Sequence, residues 1–197
     1  MKLSPLASGF QTSPLKTQGT QPDARETVNF LLNSYELKHT PRRGFVHIQN
    51  PELETVGAHS WGLALLVLTF LPKHLNLGKA LTYATLHDLA EVITGDIIPS
   101  DNILPEEKRR REHAAIQSLC TKFPKLAALW ERYESKSDEE AKFVKQLDSF
   151  DFALQCFRYK QKNRLDYAQE FENVSARISS PVLQPLLAEI KRRFKQK

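Results

Sequence analysis

The chain has 197 residues, of which 41% are hydrophobic, and a formal net charge of +5. This length suffices for one well-buried domain. The longest apolar run, from Trp61 to Leu71, ends at Pro72, well short of the ~20 residues that a bilayer requires, so we expect a soluble chain with no membrane partner. Cys120 and Cys156 show neither CxxC spacing nor a disulfide framework, which predicts reduced thiols and a cytoplasmic location.

The positive charge does not by itself predict nucleic-acid binding. Much of it lies in residues 108–111 and in the tail from Lys191. Glu106, Glu107 and Glu112 flank the first cluster at helical spacing, which indicates ordinary ion pairs on a solvated helix. No nucleic-acid motif or aromatic interleaving accompanies these charges. We therefore expect no nucleic-acid partner, and a basic pocket for a small phosphate ester fits the same charge balance.

The chain opens with a polar segment, residues 1–22, that is rich in Ser, Thr, Gln and Pro and has no acidic residue before Asp23. Such a segment cannot bury enough apolar surface to order itself. Acid-poor starts also serve as targeting peptides, but this one lacks arginine and an amphipathic pattern. We expect disorder over 1–22 and a single folded domain over 23–197.

From Arg25 onward the hydrophobic spacing predicts helices, interrupted at proline and glycine. The predicted helices cover 25–37 with an apolar stripe of Val28, Leu31, Leu32 and Tyr35, 54–71, 79–94 with Gly95 as its stop, 105–123, a short helix holding Leu126, Leu129, Trp130 and Tyr133, 138–160, and a basic helix from Pro181. The segment from Ser137 to Glu140 indicates a capping box. No strand pattern occurs, so the prediction is one all-α domain, a helical bundle without internal repeats.

Four ligand-type residues interrupt the apolar faces of these helices. His59 lies in ETVGAHSWGLALL, His87 and Asp88 lie in TLHDLAE, and Asp148 lies in KFVKQLDSFDFAL. Taken singly, each has an ordinary interpretation as a hydrogen-bonded core histidine or a salt-bridged aspartate. Together, two imidazoles and two carboxylates offer a divalent metal ion a mixed nitrogen and oxygen shell with open positions. That pattern is typical of a catalytic site.

Two further carboxylates follow the His87–Asp88 pair. Glu91 stands four residues after His87, which predicts the same helical face, and there it could orient or deprotonate an attacking water. The alternative for Glu91 is a surface carboxylate paired with a lysine. Asp96, just past Gly95, could act as a second acid or base or contact the substrate.

These residues resemble the H...HD...D motif of the HD superfamily of metal-dependent phosphohydrolases, and are most similar to its HD domain-containing 5′-deoxynucleotidases. The matching stretches are ETVGAHSW, HDLAEVITGDIIPSDN, EEKRRREHAAI and AKFVKQLDSFDFALQ, within residues 25–160. The resemblance implies a helical bundle around one divalent ion, such as Mn²⁺, Co²⁺ or Mg²⁺. It implies metal ligation by His59, His87, Asp88 and Asp148, and catalysis by Glu91.

The resemblance also implies substrate contacts. Relatives use an arginine and an aromatic residue before the first ligand, and these correspond here to Arg42 or Arg43 and to Phe45. The role suits an arginine, because a guanidinium can grip a phosphate bidentately. The ordinary alternative for both arginines is a solvated loop. The remaining implied contacts are Asp96, Ile97, Ile98 and Pro99. Ala58 stands where many relatives carry an acidic residue, and Phe45 where several have tryptophan; these departures bear on metal tuning and on substrate choice.

The predicted reaction is hydrolysis of a nucleoside or deoxynucleoside 5′-monophosphate. One alternative is an HD-type phosphodiesterase, which draws on further histidines, although only His113 lies between His87 and Asp148. A triphosphohydrolase would need more basic residues around a longer phosphate chain. A non-catalytic nucleotide or metal sensor would not need Glu91.

A homodimer is a further possibility from the resemblance and from the apolar content of the last helix. Such a stripe more often packs on its own bundle. Its residues are Leu183, Leu186, Leu187, Ile190 and Phe194.

Overall fold

The computed structural model describes residues 22–45, 52–163 and 165–194. Its helices are α1 Ala24–Tyr35, α2 Val56–Phe70, α3 Leu77–Leu86, α4 Glu91–Thr94, α5 Pro105–Leu119, α6 Pro124–Glu134, α7 Glu139–Asn163, α8 Ala168–Ser175 and α9 Gln184–Phe194. Short 3-10 turns lie at Glu36–Lys38, Arg43–Phe45 and Pro99–Asp101. No strand occurs in these ranges, so the predicted all-α class is confirmed. The disorder expected for 1–22 falls on residues outside the description, except for Pro22.

The core is built around α7, against which α2, α3, α8 and α9 pack. Leu63 and Val67 of α2 meet Val144 and Leu147 of α7 in one buried cluster. A second cluster joins α5 and α6 to the segment after α3 and contains Ile116 and Trp130, among others. Because α2, α3 and α7 pack on one another, the polar side chains on their inner faces are brought together.

The helix predicted over 79–94 is wrong in one respect, since it is interrupted. Helix α3 ends at Leu86, residues 87–90 form turns, and α4 resumes at Glu91. Trp130 Nε1 donates to the carbonyl oxygen of His87 at 3.0 Å and so holds these turns from α6. The predicted stop at Gly95 is correct, with φ at +66°, a conformation that glycine adopts without steric cost.

The capping box predicted for Ser137 to Glu140 is also corrected. Asp138, not Ser137, caps α7, because its Oδ1 accepts from the Ala141 N–H at 2.9 Å. Glu140 pairs instead with Lys79 of α3 at 2.8 Å. Helix α5 ends at Leu119, earlier than the predicted Phe123, since Pro124 begins the next helix.

At the C-terminal end, α8 lies in a stretch for which the sequence predicted no helix, and α9 begins at Gln184, later than Pro181. The apolar side chains of α9 pack on their own bundle. Leu183, Leu187, Ile190 and Phe194 are buried in the core cluster, and Leu186 is partly buried against it.

Helices α1 and α2 each carry several exposed apolar side chains. On α1 they are the whole predicted stripe, Val28, Leu31, Leu32 and Tyr35, and on α2 they are Trp61, Leu65 and Leu68. Only Phe30 of α1 stacks on a neighbour, Phe123, with ring centroids 4.3 Å apart. None of the helices in the described part of the chain combines the length and apolarity that a bilayer crossing requires.

Candidate functional site

Side-chain atoms of the four predicted metal ligands converge at one point. His59 Nε2 lies 3.0 Å from His87 Nε2, 3.2 Å from Asp148 Oδ1 and 3.7 Å from Asp88 Oδ2. His87 Nε2 lies 2.9 Å from Asp88 Oδ2. Both rings are buried, and Asp88 has the most exposed side chain of the set, at 23%. Three separate elements, α2, the turn after α3 and α7, supply these atoms.

The hydrogen bonds of the two imidazole rings fix their tautomers. His59 Nδ1 lies 2.6 Å from Asp151 Oδ2, and His87 Nδ1 lies 3.0 Å from the Ala84 carbonyl oxygen. Because a carboxylate and a carbonyl only accept, both Nδ1 atoms carry a proton, and the Nε2 atoms of neutral rings present lone pairs. Two lone pairs and nearby carboxylate oxygens repel one another unless a cation lies among them. The donor set therefore fits a divalent metal ion.

Asp151 and Gly62 belong to this arrangement and were missed by the sequence analysis. Asp151 follows Asp148 by three residues on α7, and its carboxylate holds the far side of the His59 ring. A Cβ at position 62 would lie 2.6 Å from Asp151 Oδ1. Gly62 thus provides the space for that carboxylate, one helical turn after His59. The available signal was a second aspartate at helical spacing from the predicted ligand.

Arg42 is the buried cation of the site. Its Nη2 lies 3.4 Å from Asp148 Oδ1, its Nη1 lies 3.9 Å from Asp88 Oδ2, and its Nε lies 3.9 Å from Glu54 Oε2. Burial alone would lower the pKa of Arg42, but these carboxylates raise it above its ordinary value. Nη1 is buried, lies no closer than 3.9 Å to Asp88 Oδ2 and makes no hydrogen bond with the described residues, so this arm of the guanidinium fork has unused hydrogen-bond donors.

Opposing effects set the ionisation of the ligands. Burial would raise the pKa of Asp88 and of Asp148, but His87 beside Asp88 and Lys145 beside Asp148 hold both pKa values well below their usual range. Burial and Arg42 oppose protonation of His59, yet hydrogen bonds with Asp148 and Asp151 raise its pKa to about 9. In the absence of a metal ion, a proton on His59 balances part of the negative charge.

Glu91 and Asp96 form the acidic side of the site. Burial, with the charges of Asp88 and Asp96 added, raises the pKa of Glu91 to about 10, and Glu91 Oε2 makes no hydrogen bond within the described residues. Burial also raises the pKa of Asp96. Glu91 is only 6% exposed, so it is not the surface carboxylate of the alternative interpretation.

The two adjacent arginines point to different partners. Arg43 lies away from the predicted ligands, and its guanidinium pairs with Asp101 through two 2.7 Å bonds.

The aromatic residue predicted to contact the substrate, Phe45, is fully buried and stacks on Phe152 at 4.4 Å between ring centroids. Phe152, not Phe45, is the aromatic side chain that faces the neighbouring cavity.

A cavity of about 520 Å³ adjoins the metal ligands. Arg42, Asp148 and the predicted contact segment Asp96–Pro99 line one part of it, and Lys145 of α7 lines another. Lys145 Nζ also bonds Asp148 Oδ2 at 2.8 Å. Helix α8, which the sequence did not predict, contributes Asn173 and Val174. The size suits a small molecule with an anionic end toward the arginine and lysine.

Comparison with known proteins identifies the family of the chain. The HD domain family matches residues 35–191. The chain is 37% identical over 185 residues to the 5′-deoxynucleotidase HDDC2 of Bos taurus, covering 90% of each, and 35% identical over 174 residues to HDDC2 of Homo sapiens, covering 85% of each. The crystal structure of the PH0347 protein from Pyrococcus horikoshii OT3 is 28% identical with a TM-score of 0.73, over 84% of this chain and 98% of that one. The predicted resemblance is therefore confirmed: the chain belongs to the HD-domain family, and relatives similar along most of its length are named 5′-deoxynucleotidases.

Proposed function

We propose that this chain is a metal-dependent phosphomonoesterase that removes the 5′-phosphate from deoxynucleoside 5′-monophosphates. The observation that carries the proposal is the convergence of His59, His87, Asp88 and Asp148 beside the free arm of Arg42. The relatives named 5′-deoxynucleotidases supply the substrate class.

One divalent ion would be held by His59, His87, Asp88 and Asp148, and Mn²⁺, Co²⁺ and Mg²⁺ are all compatible with nitrogen and oxygen donors. When bound, such an ion supplies positive charge for the phosphoryl oxygens and acidifies water. Arg42 lines the cavity together with Asp148, and its guanidinium would bind a phosphoryl oxygen. Lys145 adds a second positive charge on the same wall.

The reaction requires one proton acceptor and one proton donor. The raised pKa of Glu91 belongs to the ion-free site, and the positive charge of a divalent ion held by Asp88 would lower it. Glu91 would then accept a proton from the water that attacks phosphorus, because its Oε2 is buried and makes no hydrogen bond within the described residues. As the bond between phosphorus and the 5′-oxygen breaks, that oxygen needs a proton. Asp96 would donate it or hold the sugar, since it lines the cavity together with Arg42 and Asp148. The products are a nucleoside and inorganic phosphate.

The competing reactions receive less support. An HD-type phosphodiesterase of the two-metal kind would draw on further histidines, but His113 pairs with Glu131 at 2.8 Å and is half exposed. Lys136 and Arg177 line the same cavity as Arg42 and Lys145, so a longer phosphate chain would also meet basic side chains, but the relatives named 5′-deoxynucleotidases favour the monophosphate. A non-catalytic sensor is opposed by the burial of Glu91 beside the ligands.

The test is phosphate release from deoxynucleoside and ribonucleoside 5′-monophosphates, a cyclic dinucleotide and a deoxynucleoside triphosphate, each with Mn²⁺, Co²⁺ or Mg²⁺. We expect inorganic phosphate only from the monophosphates, with the deoxy series preferred. Nucleotide binding without turnover under every metal would contradict an enzyme. Cleavage of the cyclic dinucleotide alone would leave the metal site intact but replace the reaction.

We also propose a homodimer, supported by the exposed apolar side chains of α1 and α2 rather than by the buried stripe of α9. Trp61 is 71% exposed and Leu68 is 60% exposed on the outer face of α2. Sedimentation velocity should give a dimer for the native chain and a monomer for Trp61→Glu with Leu68→Glu.

A reducing, cytoplasmic location is proposed because Cys120 and Cys156 are free and buried.

A further inference from the structure

Arg43 is bound to the cavity loop, residues 96–101, by four hydrogen bonds. Its backbone N–H donates to Asp96 Oδ2 at 2.7 Å, and its Nη1 donates to the Asp96 carbonyl oxygen at 3.1 Å. Its Nη1 and Nη2 donate to the two carboxylate oxygens of Asp101, each at 2.7 Å. The guanidinium fork is therefore engaged with a carboxylate inside the protein, in the bidentate geometry that an arginine otherwise offers a phosphate.

The loop depends on contacts of this kind because it has little other anchorage. It lies between two residues with positive φ, Gly95 at +66° and Asn102 at +54°. Within 95–102, a stretch that is described throughout, no residue is buried. Asp101 Oδ2 also accepts from the Ile98 N–H at 3.1 Å, and Lys108 Nζ donates to the Ile97 carbonyl oxygen at 3.1 Å. Polar tethers, rather than apolar packing, hold this wall of the cavity.

Arg42 and Arg43 thus connect the two sides of the site. Arg42 reaches Asp148 at 3.4 Å on the ligand side, while Arg43 fastens the loop that carries Asp96. Because the two residues are consecutive, the distance between the Arg42 guanidinium and the loop is set by a single short piece of backbone. A shift of the loop would move Asp96 and the cavity-lining residues away from a bound substrate.

We propose that Arg43 and Asp101 form a positioning pair that fixes the cavity loop against the metal site, and that Arg43 does not contact the substrate. The proposal rests on the proposed function for its kinetic readout, because Asp96 and the loop would meet the nucleotide there. It assigns the two adjacent arginines separate roles: Arg42 for the phosphate and Arg43 for the loop.

The test uses the full chain with Arg43→Met, Asp101→Asn and the double variant. Hydrogen–deuterium exchange over 96–102 in the substrate-free protein should become faster in all three, with the larger effect in Arg43→Met, which also loses the bond to the Asp96 carbonyl oxygen. With deoxyadenosine 5′-monophosphate and Mn²⁺, KM should rise about fivefold to tenfold, and kcat should fall less than about threefold. The effect of the double variant on exchange and on KM should be smaller than the sum of the two single effects, because the pair is lost only once.

The matched control is Arg192→Met. Arg192 makes an equally bidentate, exposed pair with Glu189 on α9, at 2.8 Å and 2.7 Å, and that pair lies outside the cavity. In Arg192→Met, the hydrogen–deuterium exchange over 96–102 and the KM should equal those of the native chain.

Two results would overturn the proposal. If Asp101→Asn keeps the native KM while Arg43→Met raises it, Arg43 binds the substrate itself. If exchange over 96–102 is unchanged in both single variants, the pair does not hold the loop. A native chain without phosphatase activity would refute the proposed function alone, because the exchange measurement requires no turnover.

Discussion

His59 Nδ1 and Asp151 Oδ2 lie 2.6 Å apart in the interior, and this contact directs the opposite nitrogen of the ring toward the other proposed metal ligands. A carboxylate behind a ligating histidine fixes the tautomer, restrains the ring and increases the basicity of the ligating nitrogen. Asp148 and Asp151 are one turn apart on α7, so one helix supplies both a proposed ligand and the group that orients another proposed ligand.

We expect Asp151→Asn to weaken Mn²⁺ binding about tenfold and Asp151→Ala to weaken it about a hundredfold. Asparagine keeps an acceptor oxygen for the Nδ1 proton but loses the charge, while alanine loses both. Competition with a chelating indicator dye measures the affinity without any turnover. Equal affinities for all three proteins would show that the His59 ring is held by its packing alone.

Gly62→Ala should disturb the same contact from the other side. The added Cβ would lie 2.6 Å from Asp151 Oδ1, so the carboxylate must move. We expect a Mn²⁺ dissociation constant about tenfold higher with unchanged helix content by circular dichroism. Gly78→Ala is the matched control, because the nearest atom there, Asn76 Oδ1, lies at an ordinary 3.5 Å. Similar effects at both glycines would argue against a specific role for the space at position 62.

Glu91→Gln should abolish turnover and retain the metal. Glutamine has nearly the same shape but cannot accept a proton, so kcat should fall about a hundredfold to ten-thousandfold. The metal content of the purified protein should stay at the native level, because Glu91 is not one of the proposed ligands. A variant that loses the metal together with activity would instead make Glu91 a ligand.

Arg42→Lys should raise the KM for a deoxynucleoside 5′-monophosphate about tenfold, because lysine keeps the charge but lacks the fork that grips a phosphate. Lysine also leaves a cation beside Asp88, Asp148 and Glu54, which limits the loss of stability. Arg158→Lys, at an exposed position on the same protein, is the control for the substitution itself. Inhibition by inorganic phosphate should weaken in parallel with KM for Arg42→Lys only.

Asp138 should make stability pH-dependent in the acid range. Burial would raise its pKa, but the Ala141 N–H, Lys79 and Tyr83 together lower it from 3.8 to about 2. A group with a lowered pKa in the folded state contributes stability above its unfolded pKa and loses it as the pH falls through the folded value. Asp138→Asn should therefore cost about 1 kcal/mol at pH 7, and this difference should disappear between pH 4 and pH 2. Urea unfolding at several pH values measures the difference; a constant gap would contradict it.

Local sequence information predicted most of the helices, because hydrophobic spacing and proline or glycine breaks are properties of neighbouring residues. It failed at His87–Ala90, where the helical pattern continues but the backbone turns. There the Trp130 side chain, 43 positions along the chain, binds the His87 carbonyl oxygen. It also failed at α8, whose polar sequence forms a helix when Phe171 and Val174 are buried in the core.

The sequence by itself determined the family, and it predicted the ligand types: two imidazoles, two carboxylates and a nearby glutamate at spacings that the HD motif shares. Only the tertiary structure decided which arginine enters the site, that Phe152 rather than Phe45 faces the cavity, and that Asp151 and Gly62 support His59. The physical reason is that these choices depend on contacts between distant segments. Arg43 meets Asp101 across 58 positions and His59 meets Asp151 across 92, so neither pairing leaves a periodic trace in the chain.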